Sequence, residues 1–327
     1  MPTHFLSCDW GTTNFRLRLA TSDGTQVLAE VESDQGVSSI ASAWGEKGVK
    51  DEAARTRFYT DVLREATSDL QSRAGQHLEG FPVVISGMAS STLGLINLPY
   101  QSLPVPVDGS GFRTHHIEAS ENFQHTVVII SGLQSGEEDV MRGEETQLIG
   151  CLTPELEAAE GDQLIIHPGT HAKHITIREG NITGFRTFMT GEAFKLFSTH
   201  GILASSVAAG PLHEAALPHF EAGVRASESE PLLHAAFRVR TADLFGIRSK
   251  SDNFHYLSGL LIGTELQSLH SGGPEKRYLC AGPSLHLPYT TALRVLGLEG
   301  AVKSLPPEWE EGSVVRGQAK VLAAHAQ

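Results

Sequence analysis

The chain opens with a predicted strand, a tight polar turn and a second strand, in the run S-C-D-W-G-T-T-N-F-R-L-R-L at residues 7–19. Gly11 permits a sharp change of backbone direction, and apolar residues resume after it with a period of two. Backbone N–H groups around such a turn can hold phosphate oxygens, and the carboxylate of Asp9 beside them can hold the accompanying cation. Taken by itself, the run is also compatible with an ordinary polar hairpin turn.

The same order of elements returns in residues 163–185, which read as a strand, a Gly169-Thr170 turn, a strand, an acidic-Gly turn and a strand. The pair Gly169-Thr170 takes the place of Gly11-Thr12 in the first copy. A long internal repeat of this kind indicates two duplicated domains, because each copy is one supersecondary unit. We therefore predict two similar domains that each present a loop suited to phosphate, which favours the functional interpretation of the opening turn.

Length and charge limit the classes of protein that this chain can belong to. Its 327 residues suffice for two domains with separate cores, and 40% hydrophobic with 19% charged residues is typical of a soluble globular protein. A net charge of -13 argues against nucleic acid as a general partner. No apolar run approaches the roughly 20 residues of a membrane helix. The N-terminus has neither a charged leader nor an apolar signal region, so we predict no membrane association and a cytoplasmic location.

Periodicity and turn residues predict an alternation of strands and helices. Residues 34–50 are rich in Gly and Ser and are predicted to form a loop, and Thr190 is predicted to be the N-cap of a helix over residues 191–197. The remaining predicted elements are strands at 81–86, 126–133 and 278–284 and helices at 53–74, 211–222, 230–245, 253–266, 289–298 and 313–325.

Four groups of residues carry candidate chemistry, and the last three also have a structural alternative. Ligands tend to bind at strand ends in open α/β sheets, which draws attention to G-M-A-S-S at residues 87–91. Glu144 and Glu145 open a predicted helix, where carboxylates also suit the positive end of the helix dipole. Lys173 lies on the strand after the second loop, where it is either a cation that binds phosphate or a solvated strand lysine. Gly282 follows a predicted strand, where it either lets an adenosine approach the backbone closely or forms an ordinary turn before a helix.

In order along the chain, these features resemble the actin, Hsp70 and sugar-kinase superfamily. Residues 8–16 resemble its first phosphate loop, 143–152 its first connecting helix, 167–174 its second phosphate loop, 279–284 its adenosine turn and 314–325 its closing helix. The resemblance implies an α/β fold of two duplicated ribonuclease H-like domains, residues 1–135 and 136–327, with ATP in the cleft between the domains.

Within that superfamily, the local motifs look most like the 2-dehydro-3-deoxygalactonokinase family. The matching motifs are D-W-G-T-T-N, D-V-M-R-G-E-E-T-Q, P-G-T-H-A-K-H, F-M-T-G-E, Y-L-S-G-L-L-I-G and the stretch G-M-x-x-S…P-Y. Of these, M-R-G-E-E-T-Q and P-G-T-H-x-K are specific, whereas D-x-G-T alone indicates only the superfamily. The resemblance implies a sugar-acid kinase that uses ATP to phosphorylate the 6-hydroxyl of 2-dehydro-3-deoxy-D-galactonate, giving the 6-phosphate and ADP in D-galactonate catabolism.

The resemblance also implies roles for individual residues. Asp9 would hold Mg²⁺, and Glu144, with Glu145 second, would be the general base. Ser90, Ser91 and Arg142 are the candidates for the substrate carboxylate and hydroxyls. ATP would be bound by residues of the two loops and the adenosine turn, namely Gly11, Thr12, Thr13, Asn14, Gly169, Thr170, His171, Lys173 and Gly282.

Two other classes of function remain open at this point. One is a polyphosphate- or nucleotide-cleaving hydrolase of the same fold, in which Glu144 would activate water. The other is a non-catalytic ATP- or sugar-binding sensor, although the first strand begins too early for a preceding helix-turn-helix. The expected partners are a small sugar acid and ATP, without nucleic acid, and the sequence leaves a homodimer open.

Overall fold

The structure is a computed structural model, and it describes residues 3–49, 51–157, 160–274 and 276–325. By compactness, the chain forms two units. The first unit contains the described residues of Met1–Glu160, Gly180–Gly184 and Glu310–Gln327, and the second contains those of Gly161–Glu179 and Phe185–Trp309. Among the described residues, no helix has both the length and the apolar character needed to cross a membrane.

Strands and helices alternate along both units. The strands are β1 (His4–Trp10), β2 (Phe15–Thr21), β3 (Val27–Ser33), β4 (Val83–Gly87), β5 (Gln101–Ser102), β6 (Val105–Pro106), β7 (Thr114–Ile117), β8 (Val127–Ile130), β9 (Leu133–Ser135), β10 (Asp139–Met141), β11 (Gln163–His167), β12 (Ala172–Arg178), β13 (Asn181–Phe188), β14 (Lys276–Leu279) and β15 (Lys303–Ser304). The helices are α1 (Val37–Glu46), α2 (Glu52–Ala74), α3 (Glu144–Cys151), α4 (Pro154–Glu157), α5 (Thr190–Thr199), α6 (Leu217–Ser229), α7 (Leu232–Leu244), α8 (Lys250–Leu266), α9 (Pro283–Val295), α10 (Pro307–Glu311) and α11 (Ser313–His325).

The main sheet of the first unit has the strand order β3-β2-β1-β4-β8-β7. β1 pairs antiparallel with β2 and parallel with β4, while β2 pairs antiparallel with β3 and β4 pairs parallel with β8. β4 and β8 are buried along their whole length, which matches their continuous apolar sequences. Asp9 faces Arg16 across the hairpin and Ser86 on the parallel neighbour, so the end of β1 meets the end of β4.

The sheet of the second unit repeats this topology. Its strands have the order β15-β14-β11-β12-β13-β6, with β11 antiparallel to β12 and parallel to β14, and with β14 parallel to β15. β11, β12, β13, β14 and β15 therefore correspond in order to β1, β2, β3, β4 and β8, and β11, β12, β14 and β15 correspond in direction as well. The duplication predicted from the two Gly-Thr turns is confirmed, as is the duplicated α/β fold of ribonuclease H type.

In both units, helices pack where glycines permit close approach. A Cβ atom on Gly150 of α3 would lie 1.8 Å from the Ser313 carbonyl oxygen of α11, and one on Gly317 would lie 1.9 Å from the Thr146 carbonyl oxygen. In the second unit, Gly259 of α8 would meet the Phe220 carbonyl oxygen of α6 at 2.0 Å. The helix backbones are in contact at these points.

Two features differ from the sequence-based expectations. Residues 37–46, predicted as part of a loop, form α1, because Val37 and Ile40 are buried on one side of a short helix that starts after Gly36. The compact units also group residues differently from the predicted domains 1–135 and 136–327. The described residues of 136–160 and 310–327 lie with the first unit, where the Gln318 side chain of α11 donates hydrogen bonds to the Cys8 carbonyl and the Ser86 hydroxyl, each at 2.9 Å. The predicted domain division stays a prediction.

Candidate active site

The turn between β1 and β2 forms the first candidate loop. The Gly11 N–H group donates a 2.9 Å hydrogen bond to the Asn14 carbonyl oxygen, which closes a four-residue turn. Thr12, Thr13 and Asn14 are exposed, whereas Trp10 and Phe15 on either side are fully buried. The buried side chains of Trp10 and Phe15 hold the turn at the ends of β1 and β2, and the polar residues between them are accessible to a ligand.

The first loop is held from behind by the start of α1. The Val37 and Ser38 N–H groups donate to the Gly11 and Thr12 carbonyl oxygens at 2.9 and 3.0 Å. A Cβ atom on Gly36 would lie 2.3 Å from the Thr13 carbonyl carbon, so a side chain cannot fit at this position. Because the loop carbonyls are bound by α1, the loop conformation is fixed before any ligand arrives.

The second unit supports its loop in the same way. The Glu192 N–H group at the start of α5 donates to the Thr170 carbonyl oxygen at 2.9 Å. A Cβ atom on Gly191 would lie 2.6 Å from the Gly169 carbonyl oxygen. Gly191 therefore matches Gly36 in the first unit: each is a glycine at the start of the helix after the third strand, in contact with the Gly-Thr loop.

Asp9 lies at the end of β1, beside Gly87 at the end of β4. A Cβ atom on Gly87 would lie 3.8 Å from Asp9 Oδ1. Burial raises the pKa of Asp9, while the charges of Arg18 and Arg16 act in the opposite direction. A carboxylate oxygen is the type of ligand that Mg²⁺ prefers, and a bound cation would offset the cost of holding this charge at a half-buried position. The position of Asp9 thus fits a cation site.

The start of α3 lies next to Gly87. A Cβ atom on Gly143, the N-cap of α3, would be 3.2 Å from the Gly87 Cα atom. Glu144 is partly exposed, and its Oε2 accepts a 2.9 Å hydrogen bond from the Arg142 N–H group. The predicted first base candidate and the predicted metal ligand are therefore both next to Gly87.

Glu145 differs sharply from its neighbour. It is 0% exposed, and its carboxyl group accepts hydrogen bonds from the Gly143 N–H group at 2.7 Å and from the Thr146 hydroxyl at 3.2 Å. Burial, followed by the charge of Glu144, raises the pKa of Glu145 to about 7. Glu145 thus binds the N-cap residue of α3 from inside the protein, and Glu144 is the member of the pair that is open to a substrate.

The candidates for substrate binding lie together, and they bind one another. Arg142 Nη1 donates to both the carbonyl and the hydroxyl oxygen of Ser90 at 2.6 Å, and the guanidinium group lies 4.2 Å from the centre of the Tyr100 ring. The Ser91 hydroxyl donates to the Met88 carbonyl oxygen at 2.7 Å. Arg142 Nε is buried and has no hydrogen-bond partner among the described residues. The serines therefore shape the loop after β4, and Ser90 holds Arg142 by its Nη1 atom alone.

Lys173 is not the solvated strand lysine of the structural alternative. It is 1% exposed, and its Nζ donates a 2.7 Å hydrogen bond to the His171 carbonyl oxygen. His171 itself is exposed, and its Nε2 lies 2.8 Å from Glu192 Oε2. Lys173 thus stabilises the second loop from inside, and His171 lies on the outer side of the same loop.

Gly282 is the N-cap of α9 and lies three residues after the end of β14. Its N-cap conformation is extended, with φ of -66°, so this turn does not require a glycine for its dihedral angles. The Leu285 and His286 N–H groups donate to its carbonyl oxygen at 3.0 and 2.9 Å. Gly282 follows the fourth strand of its unit just as Gly87 ends the fourth strand of the first unit.

Sequence reasoning did not identify the glycines that hold the two loops. Gly36 and Gly191 follow the third strand of each copy, so an extension of the repeat by one element would have revealed them. It also did not identify Glu310, whose pKa is raised by burial and, to a smaller extent, by the charges of Glu311 and Asp9. No local motif indicated Glu310, because it lies 301 residues after Asp9.

The two units share one order of five strands, and each has a Gly-Thr loop that is bound by the start of a helix. These features place the protein in the actin, Hsp70 and sugar-kinase superfamily. A family described as 2-keto-3-deoxy-galactonokinase matches residues 9–312 of this chain. The chain belongs to the 2-keto-3-deoxy-galactonokinase family.

Individual relatives agree with this assignment. The chain is 32% identical over 302 residues to a Rhizobium meliloti (strain 1021) protein assigned as a 2-dehydro-3-deoxygalactonokinase, covering 90% of both chains. It is 32% identical over 305 residues to the Escherichia coli (strain K12) 2-dehydro-3-deoxygalactonokinase, covering 91% of this chain and 92% of the relative. A crystal structure from Sinorhizobium meliloti assigned to the same activity superposes with a TM-score of 0.77 at 29% identity, covering 98% and 97% of the two chains.

Proposed function

We propose that this protein transfers the γ-phosphoryl group of ATP to the 6-hydroxyl of 2-dehydro-3-deoxy-D-galactonate. The observation that carries the proposal is the family match over residues 9–312, together with 32% identity to relatives named for this activity. In the reaction, the bond between the γ-phosphorus and the oxygen bridging to the β-phosphate breaks, and a bond to the substrate oxygen forms. The hydroxyl proton must pass to a base, and positioning with charge neutralisation supplies most of the catalysis.

Glu144 is the proposed base. Its carboxylate is partly exposed at the start of α3 and is oriented by the hydrogen bond from the Arg142 N–H group. Glu145 is less suited, because its carboxyl group is completely buried and already accepts two hydrogen bonds. A positioned carboxylate that accepts the proton typically contributes about 100- to 10,000-fold to the rate.

The proposed nucleotide contacts come from the two supported loops. In the first unit, the exposed Thr12, Thr13 and Asn14 would bind phosphate oxygens through backbone and side-chain groups. In the second unit, Gly169, Thr170 and His171 would do the same, with Lys173 supplying positive charge from behind the loop. Gly282 would contact the adenosine. Asp9 would hold Mg²⁺, which neutralises charge on the phosphate oxygens when it is bound.

Arg142 is the proposed contact for the substrate carboxylate. Its Nε has no partner among the described residues, and its Nη2 makes only a long 3.4 Å contact with the Leu98 carbonyl oxygen. These two adjacent donors match the two oxygens of a carboxylate. Ser90 and Ser91 would hold the arginine and the loop in place and contribute to substrate hydroxyls.

A coupled assay of ADP formation across a panel of 2-keto-3-deoxy sugar acids tests the proposal, with ³¹P NMR to identify the phosphorylated position. We expect ADP formation that depends on 2-dehydro-3-deoxy-D-galactonate, and a product with phosphate on the 6-oxygen. Phosphate release from ATP or polyphosphate without any sugar acid would instead establish a hydrolase. ATP binding with no turnover on the whole panel would establish a sensor.

We also propose that the protein forms a homodimer and is located in the cytoplasm. Leu233, Phe237 and Leu244 of α7 are 75, 50 and 59% exposed, and their spacing of four and seven residues places them on one helix face. Phe245 and Ile247 directly after α7 are also exposed. Clusters of exposed large apolar side chains often mark protein interfaces. Light scattering of the purified protein, with Phe237→Ser as the variant, measures whether a dimer forms and depends on this face.

A further inference from the structure

Two of the motifs that identify the family have no role in the proposed mechanism. They are F-M-T-G-E at residues 188–192 and Y-L-S-G-L-L-I-G at residues 256–263, the second of which lies on α8 just before Glu265. Thr190 was predicted to cap α5, but it is the first residue of that helix, and the N-cap is Met189 without a side-chain cap. The Thr190 hydroxyl donates instead to Glu265 Oε2 at 2.5 Å. This hydrogen bond joins α5 to α8.

Glu265 is a buried carboxyl group with several partners. Its side chain is 1% exposed on α8. The Tyr289 hydroxyl donates to the same Oε2 at 2.7 Å, and His174 Nε2 lies 3.1 Å from Oε1. Burial, followed by the charge of Glu265, raises the pKa of Tyr289 well above its ordinary value, so the tyrosine stays a neutral donor. A buried acidic group with this many hydrogen bonds fixes the positions of the elements that supply them.

α5 is one of those elements, and its start contacts the second loop. Thr190 is followed directly by Gly191 and Glu192, which contact the backbone of Gly169 and Thr170 as described above. The bond from Thr190 to Glu265 therefore sets where the start of α5 lies. The start of α5 in turn sets the conformation of the loop proposed to bind phosphate.

α9 is the second of those elements, and it begins at the proposed adenosine turn. Tyr289 lies on α9, and the N-cap of α9 is Gly282. One oxygen of Glu265 thus accepts hydrogen bonds from both α5 and α9, the two helices whose starts carry or support the proposed nucleotide contacts of the second unit.

We propose that Glu265 is a positioning residue that holds the Gly169-Thr170 loop and the Gly282 turn in the relative arrangement that binds ATP. It acts through Thr190 and Tyr289 and does not contact the nucleotide. The inference rests on the proposed function for the identity of the nucleotide. Nothing in it depends on which sugar acid accepts the phosphoryl group.

Thr190→Val tests the inference, because it removes the hydroxyl donor and keeps the shape of the side chain. We expect the dissociation constant of a non-hydrolysable ATP analogue, measured by calorimetry, to rise about tenfold. The KM for ATP should rise in parallel, and the KM for the sugar acid should not change. Thr190→Ser retains the hydroxyl and should restore wild-type affinity, a rescue that a merely structural role would not produce.

Thr264→Val is the matched control. Thr264 precedes Glu265 on α8, and its hydroxyl donates to the Leu260 carbonyl oxygen of its own helix at 2.7 Å. The same chemical change at this position should leave the affinity for the ATP analogue unchanged. Equal loss of affinity in Thr264→Val and Thr190→Val would overturn the inference, and so would wild-type affinity in Thr190→Val.

Tyr289→Phe provides a second variant that removes the other donor to the same oxygen. It should also weaken binding of the ATP analogue, and unchanged affinity would remove the adenosine turn from the inference. The binding measurement needs no sugar acid. Wild-type protein that binds the analogue but phosphorylates no sugar acid would refute the proposed acceptor, whereas weaker binding in Thr190→Val would still support the role of Glu265.

Discussion

Gly87 and Gly143 meet backbone to backbone in the first unit, with the Gly87 Cα atom 3.2 Å from where a Cβ atom on Gly143 would lie. Both have positive φ angles, +94° and +108°, which side-chain-bearing residues rarely adopt. Gly87 also touches β1, since its own Cβ atom would be 2.8 Å from the Trp10 carbonyl oxygen. The pair therefore fixes the start of α3, and Glu144 with it, beside the end of β1.

Gly143→Ala should disturb this contact. The backbone strain costs about 1–3 kcal/mol of stability, and relief of the contact moves the start of α3. We expect kcat to fall by about tenfold or more in steady-state assays, because small displacements of a catalytic group are costly. Gly136→Ala is the control: Gly136 also has a positive φ, +59°, but a Cβ atom there would have nothing within 4 Å. A kcat loss in Gly136→Ala as large as that in Gly143→Ala would show that the contact with Gly87 is not the cause.

Replacing the two neighbouring carboxylates separately should distinguish their roles. Glu144→Gln removes the proposed base, and we expect kcat to fall by about 100- to 10,000-fold while ATP binding persists. Glu145→Gln should reduce kcat far less, because an amide oxygen can still accept the hydrogen bond from the Gly143 N–H group. Single-turnover assays and calorimetry measure the two effects. If Glu145→Gln proves to be the more severe change, Glu145 is the base.

Stability should depend on pH through Glu145. Its pKa is raised from 4.5 to about 7 in the folded protein, so the folded state binds this proton more tightly than the unfolded chain does. The stability that the group contributes is complete below pH about 4.5 and is lost as the pH rises to about 7. The loss is on the order of 3 kcal/mol, at about 1.4 kcal/mol per pKa unit.

Urea unfolding of wild type and Glu145→Gln between pH 4.5 and 8 isolates this contribution. Other groups with raised pKa values, such as Asp9 and Glu310, are common to both proteins and cancel in the difference. We expect the free energy of unfolding of the wild type to fall relative to the variant as the pH increases. Parallel pH profiles would contradict the burial of an ionisable group at this position.

The support of the second loop by α5 can be tested with Gly191→Ala. The new methyl group would lie 2.6 Å from the Gly169 carbonyl oxygen, so the loop must move. We expect the KM for ATP to rise on the order of tenfold, with the KM for the sugar acid unchanged. Gly184→Ala on β13 is the matched control, since a Cβ atom there would have nothing within 4 Å. Unchanged KM values in Gly191→Ala would exclude the loop from ATP binding.

The metal role of Asp9 is tested by Asp9→Asn, which keeps the shape and removes the charge. We expect the Mg²⁺ concentration for half-maximal activity to rise at least about tenfold, because Mg²⁺ favours anionic oxygen ligands. Asp108→Asn removes a carboxylate charge from an exposed turn of the same unit and should not change this concentration. The same Mg²⁺ dependence in wild type and Asp9→Asn would reject Asp9 as the metal ligand.

Much of the fold could be predicted because it follows from local features. The strands after each Gly-Thr turn and the helices α2, α3, α8 and α11 lie close to their predicted positions, since alternation, helical periodicity and turn glycines are visible within short windows. The helical periodicity of residues 53–74 predicts that one face with Phe58, Val62, Leu63, Ala66 and Leu70 is buried. Val62, Leu63 and Leu70 of α2 are buried, whereas Tyr59 and Thr67 are buried in place of Phe58 and Ala66. That shift of one residue follows from where the sheet lies, which periodicity does not specify.

Other features could not be predicted because distant residues determine them. α1 was missed because its start is bound to carbonyl oxygens of the first loop, more than twenty residues earlier. Thr190 was expected to be a cap, but its hydroxyl binds Glu265, 75 residues away. Arg142 is predicted to contact the substrate, and its additional hydrogen bond to Ser90, 52 residues away, was not predicted. Each of these hydrogen bonds joins residues that are far apart along the chain.

The sequence by itself determined the duplicated order of strands and Gly-Thr turns, and with it the family, because both depend on residues that are adjacent along the chain. Only the tertiary structure decided which carboxylate of Glu144 and Glu145 is buried, that Lys173 stabilises its loop from inside, and that Glu265 joins α5 to α9. Burial and long-range hydrogen bonds depend on which elements pack together. The opening turn is thus a candidate phosphate loop from its sequence, and its fixed conformation comes from α1.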